Sequence, residues 1–186
     1  VSLLNGILSS ISQSAVAFFG VYYKLQTFIY MPTSGIVQGM RPLMSYNYGA
    51  KLKERMHQIL KVSGLVIAAI LGAGTLLFFI VPNVLLSLFN ASSGMLEIGE
   101  TGLRILSLSF IVSSFGVLMS GVFEALGLGK YSLIVSLLRQ LLITVPLAYI
   151  LLNIMGIEGI WLSFVIAEAI ASIVAYILYH KKFKTI

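Results

Sequence analysis

The chain has 186 residues, of which 59% are hydrophobic and 10% are charged, and its formal net charge is +6. Soluble domains carry about 45–50% apolar and about 25% charged residues, so a chain of this length has too little interior to bury its apolar side chains in water. The composition therefore excludes an ordinary soluble domain and predicts an all-α integral membrane protein. The absence of cysteine excludes disulfides and thiolate metal sites.

The hydrophobic segments follow one another with short connections. Residues 1–12 are apolar but too short to cross a bilayer, which takes about 20 residues, so they are interpreted as the end of a truncated helix. Five complete membrane spans are predicted at residues 15–46, 62–81, 103–126, 132–152 and 160–179. Short connections predict an antiparallel helix bundle, and the incomplete first helix predicts that the sequence belongs to a longer chain.

The longest segment, residues 15–46, exceeds one bilayer crossing and contains helix-breaking residues. Pro32 and Pro42 each remove a helical hydrogen bond, and Gly35 and Gly39 lie between them. These four residues predict a tilted or bent helix with a hinge, in a place where protein or water covers the backbone. The polar, basic stretch 47–61 is expected to be a loop leading into the next helix.

The predicted loops alternate between a basic side and a non-basic side of the bundle. One side carries nearly all of them, namely Lys51, Lys53, Arg55, Lys61, Lys130, Lys181, Lys182 and Lys184. The other side carries Arg104 together with Glu97, Glu100 and Glu158. Cytoplasmic loops are enriched in lysine and arginine, so the Lys-rich side and the C-terminus are predicted to be cytoplasmic. The same placement between apolar runs argues against a nucleic-acid partner.

Charged side chains inside a span are costly and need a reason. Glu168 lies near the middle of the last span, and it is either a proton or cation site or a structural carboxylate paired with Arg139. Arg41 either snorkels to the cytoplasmic edge or belongs to a site. Lys24 lies among other polar residues and either lines a cavity or forms hydrogen bonds between helices.

The polar residues of the long segment predict a substrate-facing wall. So many polar atoms cannot all face lipid, and aromatic and polar groups together suit an amphipathic ligand. The predicted cavity-lining residues are Tyr22, Tyr23, Lys24, Gln26, Thr27 and Gln38. No Ser–His–acid set, phosphate-binding loop or carboxylate pair indicates an enzyme, and His57 and His180 are too far apart in the chain to predict a metal site.

Several motifs resemble the C-terminal lobe of bacterial multidrug and toxic compound extrusion (MATE) transporters. They are Met31-Pro32, Gly35-x-x-Gln38-Gly39 with Pro42, Tyr46-Asn47-Tyr48-Gly49-Ala50, Leu126-Gly127-x-Gly129-Lys130, Arg139-Gln140 with Pro146, Gly159-x-Trp161 and Ala167-Glu168. Each motif is weak alone, but their joint order covers nearly the whole chain. The resemblance assigns the chain to the seventh through twelfth helices.

This resemblance implies two pseudo-symmetric lobes, a central cavity and alternating access. It implies export of cationic or amphipathic drugs or metabolites across a bacterial plasma membrane in exchange for protons or sodium, with no cofactor. The partners would be lipid, the small-molecule substrate and the N-terminal lobe of the same transporter. Acidic coupling residues that some members carry in the first, seventh or tenth helix are absent from this sequence, and Glu124 lies too near a helix end to replace the last of them.

Two alternatives remain open from the sequence. A flippase for lipid-linked saccharides shares this architecture, and Lys24, Arg41 and Arg139 would give it a cationic cavity. A non-transporting membrane scaffold is the other alternative, although a polar helix with two prolines costs stability and usually marks a site.

Overall fold

A computed structural model describes residues 2–183, and the side chains from residue 4 to residue 182. The described residues form helices joined by short turns. In chain order these are α1 (Ser2–Ser9), α2 (Gln13–Gly49), α3 (Lys53–Ile80), α4 (Pro82–Ser87), α5 (Ser93–Ala125), α6 (Gly129–Leu137), a π-helical segment (Leu138–Leu142), α7 (Thr144–Met155) and α8 (Ile157–Phe183). The predicted all-α class is confirmed.

Four helical stretches in the described part of the chain are long and apolar enough to cross a membrane. They are Lys53–Ile80, Ser93–Ala125, Gly129–Met155 and Ile157–Lys182, the third of which joins α6, the π-helical segment and α7. The 37-residue α2 contains the span predicted at 15–46 but is not among the four. It differs from them by the row of polar residues described below. The membrane boundaries of all five segments stay a prediction.

The third helix begins much earlier than the predicted loop allowed. Stretch 47–61 is predicted to be a loop leading into a helix, and in the structure α2 continues to Gly49 and α3 already starts at Lys53. Only Ala50–Leu52 forms the turn, with Lys51 in the left-handed region at φ 58°. The loop is therefore shorter than predicted and the helix that follows it is longer, because a basic sequence on the aqueous side of a membrane can continue a helix as well as interrupt it.

The central helix of the bundle is α5, which packs against α2, α3, α6 and α8. Over its most apolar 18 residues 56% are buried, against 17% for the stretch Gly129–Met155, so the outer helices present apolar side chains to the surroundings. Glycines bring its neighbours close: a Cβ at Gly102 would lie 2.6 Å from the Phe18 ring, and one at Gly121 would lie 2.5 Å from Val37 Cγ1. Such close approach is typical of helices that associate in lipid.

Aromatic rings fill the interior between α2, α5 and α8. Phe18 meets Trp161 edge-on with centroids 5.1 Å apart, and Phe19 stacks on the same indole at 6.1 Å. Tyr22 stacks on Phe110 at 6.4 Å, and all five of these rings are almost completely buried. Edge and offset-stacked ring pairs add specific geometry to apolar burial. This cluster sets the rotation of α2 about its own axis. It therefore also determines which residues of α2 lie away from α5 and α8.

Candidate functional site

A row of polar side chains follows one face of α2. Its members recur every three or four residues, the spacing that places side chains on the same side of a helix. They are Tyr23, Gln26, Thr27, Tyr30, Ser34, Gln38 and Arg41. The row runs for more than four helical turns, so α2 carries a continuous polar stripe beside its aromatic core face.

Two adjoining cavities lie against this stripe. The first, of about 350 Å³, lies between α2 and the π-helical segment and α8, where Phe19, Phe164 and Glu168 contribute to its wall. The second, of about 290 Å³, continues between α2, α5 and α6 and reaches Arg41 and Glu124. Both are lined by Ser34, Arg139 and Gln140. We call the two cavities together the polar groove.

Arg139 and Glu168 form an ion pair in the wall of the groove. Arg139 Nε lies 3.3 Å from Glu168 Oε1, and the two side chains are only 16% and 12% exposed. The pair lacks the alignment of a hydrogen bond, and neither Arg139 Nε nor the buried Glu168 Oε2 has a hydrogen-bond partner among the described residues. A buried charged pair that is incompletely hydrogen-bonded is costly to keep.

Arg139 is placed by the π-helical segment Leu138–Leu142. Pro146 has no N–H to donate to the carbonyl four residues earlier, which favours an altered hydrogen-bond register. The Ile143 N–H donates to the Leu138 carbonyl at 3.1 Å, and the Thr144 hydroxyl donates to the Arg139 carbonyl at 2.5 Å, so both bonds span five residues. Such π-helical turns inside α-helices occur frequently at functional sites.

A second ion pair closes the other end of the groove. Arg41 Nη2 pairs with Glu124 Oε2, and Glu124 Oε1 accepts a hydrogen bond of 2.7 Å from the Ser132 hydroxyl. The Arg41 and Glu124 side chains are 41% and 38% exposed. This network connects α2, α5 and α6 through one carboxylate whose two oxygens are both engaged.

Most of the predicted cavity residues line the groove. Tyr23, Gln26 and Thr27 lie on the first cavity and Gln38 on the second. The other two residues are placed elsewhere: Tyr22 is completely buried in the aromatic core, and Lys24 is exposed but lines neither cavity. Neighbouring helical residues point about 100° apart, so a run of consecutive polar residues cannot share one face.

The predicted intramembrane charges are paired in the structure, and the predicted hinge residues lie within a continuous helix. Glu168 pairs with Arg139, one of the two interpretations left open from the sequence, and Arg41 pairs with Glu124 rather than reaching the helix end alone. The helix α2 runs without interruption through Pro32 and Pro42, and space is open beside Gly35 and Gly39. A hinge role for these four residues stays a prediction.

Sequence reasoning missed several residues of the groove. Tyr30, whose hydroxyl lies 2.5 Å from the Ser113 hydroxyl, Ser34 and Gln140 were not assigned to it, and Glu124 was noted only as lying near a helix end. The signal for Tyr30 and Ser34 is their place in the three-and-four spacing that also contains Gln26 and Gln38. The described residues contain no cluster of three or more His, Asp or Glu side chains placed to hold a metal ion.

Comparisons with known proteins agree with this architecture. Multidrug export protein MepA of Staphylococcus saprophyticus is 26% identical over 176 residues, which cover 95% of this chain and 39% of that protein. MepA of Staphylococcus aureus strain N315 gives the same identity and coverage. The chain thus spans about two fifths of the length of the curated relatives it matches.

Solved structures show the same fold. The outward-facing conformation of a multidrug resistance MATE family transporter aligns with a TM-score of 0.91 at 22% identity, covering 98% of this chain and 42% of that one. A MOP superfamily transporter from Pyrococcus furiosus, described as having a binding pocket of reverse polarity, aligns with a TM-score of 0.90 at 21% identity. The alignment covers 98% of this chain and 42% of that one. The Vibrio cholerae MATE transporter VcmN in its bent form aligns with a TM-score of 0.89 at 21% identity, covering 97% of this chain and 41% of that one.

The family itself is established by sequence. The MatE family matches residues 2–150, which is most of the chain. Members of this family are membrane transporters and not enzymes, so the expectation of a multi-pass membrane protein without enzymatic activity is confirmed by its relatives. The chain has the fold of one lobe of such a transporter, and it belongs to the MatE (MATE) family.

Proposed function

We propose that this chain is the C-terminal six-helix lobe of a twelve-helix exporter in a bacterial plasma membrane. The complete transporter would move cationic or amphipathic drugs or metabolites outward in exchange for protons or sodium. The match of the chain to two fifths of MepA, a multidrug export protein, supports this proposal. The Lys-rich helix ends favour a cytoplasmic location for the C-terminus.

The polar groove is the observation that carries the proposal. Ligand sites combine apolar and aromatic walls with a few placed polar groups, and the groove has both. Phe19, Tyr23 and Phe164 provide ring surfaces, while Gln26 and Gln140 provide amide donors and acceptors. A membrane helix that keeps such a stripe away from lipid needs water, substrate or protein to cover it. A substrate held between this lobe and an N-terminal lobe would satisfy that need.

The charge of the groove favours an exporter of cations or amphiphiles over a flippase for lipid-linked saccharides. A flippase would need uncompensated positive charge to hold phosphate groups. Here each of the groove's two arginines is paired with a glutamate, and Lys24 lies outside the groove. The groove also argues against a scaffold role, because the nearly buried Arg139–Glu168 pair is costly to keep and a passive helix bundle does not require it.

Dye transport tests the proposal directly. The complete transporter containing this chain would be expressed and measured in everted membrane vesicles energised by a proton gradient or by sodium in separate experiments. Accumulation of a cationic dye with either ion would support antiport and identify the coupling ion. A correctly inserted protein that moves no cationic dye with either ion would contradict the proposal and favour the flippase.

A further inference from the structure

The two carboxylates of the groove differ in how well they are satisfied. Both oxygens of Glu124 are engaged, one by Arg41 and one by the Ser132 hydroxyl. Glu168 has only Oε1 near a cation, while its Oε2 is buried and without a hydrogen-bond partner among the described residues. A buried carboxylate oxygen without a donor is unfavourable while it carries charge, and binding a proton removes that charge. Of the two, Glu168 is therefore the carboxylate whose negative charge is less well satisfied.

A metal cation does not fit at Glu168. Hard cations are held by several oxygen ligands converging on one point. The nearest charged neighbour of Glu168 is instead the Arg139 guanidinium, 3.3 Å away, which repels a cation. The described residues also contain no cluster of three acidic or histidine side chains. A proton needs neither an open coordination shell nor removal of Arg139.

Arg139 connects this carboxylate to the rest of the groove. It lines both cavities, so it lies beside any ligand that occupies either of them. While Glu168 is ionised, both ion pairs of the groove are complete and its charges balance. When Glu168 binds a proton, Arg139 loses its counter-charge and the groove becomes positive. Uncompensated charge in a partly desolvated site acts strongly on nearby ions.

We propose that Glu168 is a proton-binding site that excludes a cationic substrate from the groove through Arg139. This inference rests on the proposed function and specifies its coupling ion as the proton. Proton and substrate would compete by charge without sharing an atom. Competition between two ligands is reciprocal, so release of the proton from Glu168 favours the substrate and arrival of the substrate favours release of the proton. This is the relation that an antiporter requires.

The other ionisable groups around Glu168 do not change this behaviour. Phenol side chains are uncharged at neutral pH, so the tyrosines near Glu168 add no charge to the groove. Ser172 bonds Val112 and the Gly102 position faces Trp161, so Glu168 lies level with Ser107–Ser109 of α5, where no residue is ionisable. The ionisable groups of the surrounding elements are Tyr22, Tyr23, Lys24, Tyr30, Arg41, Tyr46 and Tyr48 of α2, Glu97, Glu100, Arg104 and Glu124 of α5, Lys130 and Tyr131 of α6, Arg139 of the π-helical segment, and Tyr149 of α7. On α8 itself they are Glu158, Tyr176, Tyr179, His180, Lys181 and Lys182.

Binding of tetraphenylphosphonium, an organic cation, to the purified complete transporter tests the inference. For the unmodified protein we expect the affinity to be about tenfold lower at the acidic end of a pH series than at its alkaline end, because protonation of Glu168 leaves Arg139 without its counter-charge. Glu168→Gln mimics the protonated carboxyl and leaves Arg139 unpaired. Its affinity should be low at every pH in this series. The pH dependence itself should disappear.

A double variant keeps the test decisive if Glu168→Gln alone does not fold. Arg139→Gln combined with Glu168→Gln removes both charges together, so neither charge is left buried without its partner. It should bind tetraphenylphosphonium with high affinity at every pH. Glu100→Gln is the matched control, because Glu100 also pairs with an arginine, Arg104, but lines neither cavity. It should keep the pH dependence.

The outcomes separate this inference from the proposed function. An unmodified transporter that neither binds nor moves an organic cation at any pH would overturn both. If the unmodified protein binds the cation and the double variant retains the original pH dependence, the proposed function stands and the assignment of Glu168 is overturned. Loss of pH dependence in Glu168→Gln and in the double variant, but not in Glu100→Gln, would establish the site.

Discussion

The two ion pairs of the groove use the same residue types in opposite circumstances. Arg41 and Glu124 are each more than a third exposed, and a serine hydroxyl completes the network. Arg139 and Glu168 are nearly buried, lack hydrogen-bond alignment and depend on a π-helical turn. The first pair is a well-solvated link between helices. The second keeps charge in a place where charge is costly, which is the usual mark of a functional group inside a membrane.

One groove thus combines a stable ion pair with a second pair that is sensitive to the charge of Glu168. Exposed ion pairs are worth little, so the Arg41–Glu124 pair contributes connection and polarity more than energy. Removing one partner of a buried pair leaves an isolated charge, so the state of Glu168 strongly affects Arg139. Variants at the buried pair should therefore lose more stability than variants at the exposed ion pairs.

The largest loss of stability is expected for Arg139→Gln. It leaves the nearly buried Glu168 without its counter-charge, which costs about 3–5 kcal/mol in comparable buried pairs. Denaturant titration of the detergent-solubilised complete transporter measures this change in unfolding free energy. The double variant with Glu168→Gln should recover most of the loss. Strictly additive single losses would show that the two side chains do not interact.

The next largest effect is expected where α2 approaches α5. A methyl group at Gly121 would lie 2.5 Å from Val37 Cγ1, so Gly121→Ala forces two helices apart beside the second cavity. Overpacking of this kind costs about 1–3 kcal/mol. Gly39→Ala is the matched control on α2, since space beside Gly39 is open. Equal thermal stabilities of the two variants would contradict the close packing described here.

A smaller change is expected for Glu124→Gln. The pair with Arg41 is more than a third exposed, so its loss should cost about 1 kcal/mol or less. The amide can still accept the bond from Ser132, which limits the loss further. The same denaturant titration measures it. A loss as large as that of Arg139→Gln would remove the distinction between the two pairs.

The smallest change is expected for Glu100→Gln. Glu100 and Arg104 are four residues apart on α5 with their charged atoms 2.8 Å apart, and both are more than a third exposed. Such pairs on a helix surface contribute about 0.3–0.5 kcal/mol. A thermal denaturation series at low and high salt should show a slight loss at low salt only. A salt-independent loss would indicate a role other than charge pairing.

Much of the fold could be predicted from the sequence because helices that cross lipid must be long and apolar. Apolar runs separated by short polar breaks gave the order of the helices, and the family resemblance is confirmed. The helix ends do not follow from the predicted spans: α5 begins at Ser93, well before the membrane span predicted at residues 103–126, since polar residues at a membrane surface can be helical. Hydropathy measures where a chain avoids water, not where its helical hydrogen bonds begin.

The groove was only partly predictable. The proximity of Glu168 and Arg139 followed from two charges on neighbouring antiparallel spans, and the polar character of α2 followed from its residues. The separation of Tyr22 from Tyr23 depends on helix phase, which the aromatic core sets through Trp161 and Phe110. The π-helical turn depends on local hydrogen bonds around Thr144 and Pro146 that no periodicity reveals.

Thiol labelling shows directly whether the stripe on α2 faces the transport pathway. The chain has no cysteine, so single cysteines can be introduced in a complete transporter from which any others have been removed. Ser34→Cys lies on both cavities, whereas Phe28→Cys replaces a side chain on the same helix that is 66% exposed and lines neither. A thiol must ionise in water to react with a maleimide. We predict that a membrane-impermeant maleimide labels Ser34→Cys but not Phe28→Cys, and that a transported cation slows the labelling. Equal labelling of both positions, or labelling of Phe28→Cys alone, would contradict the account.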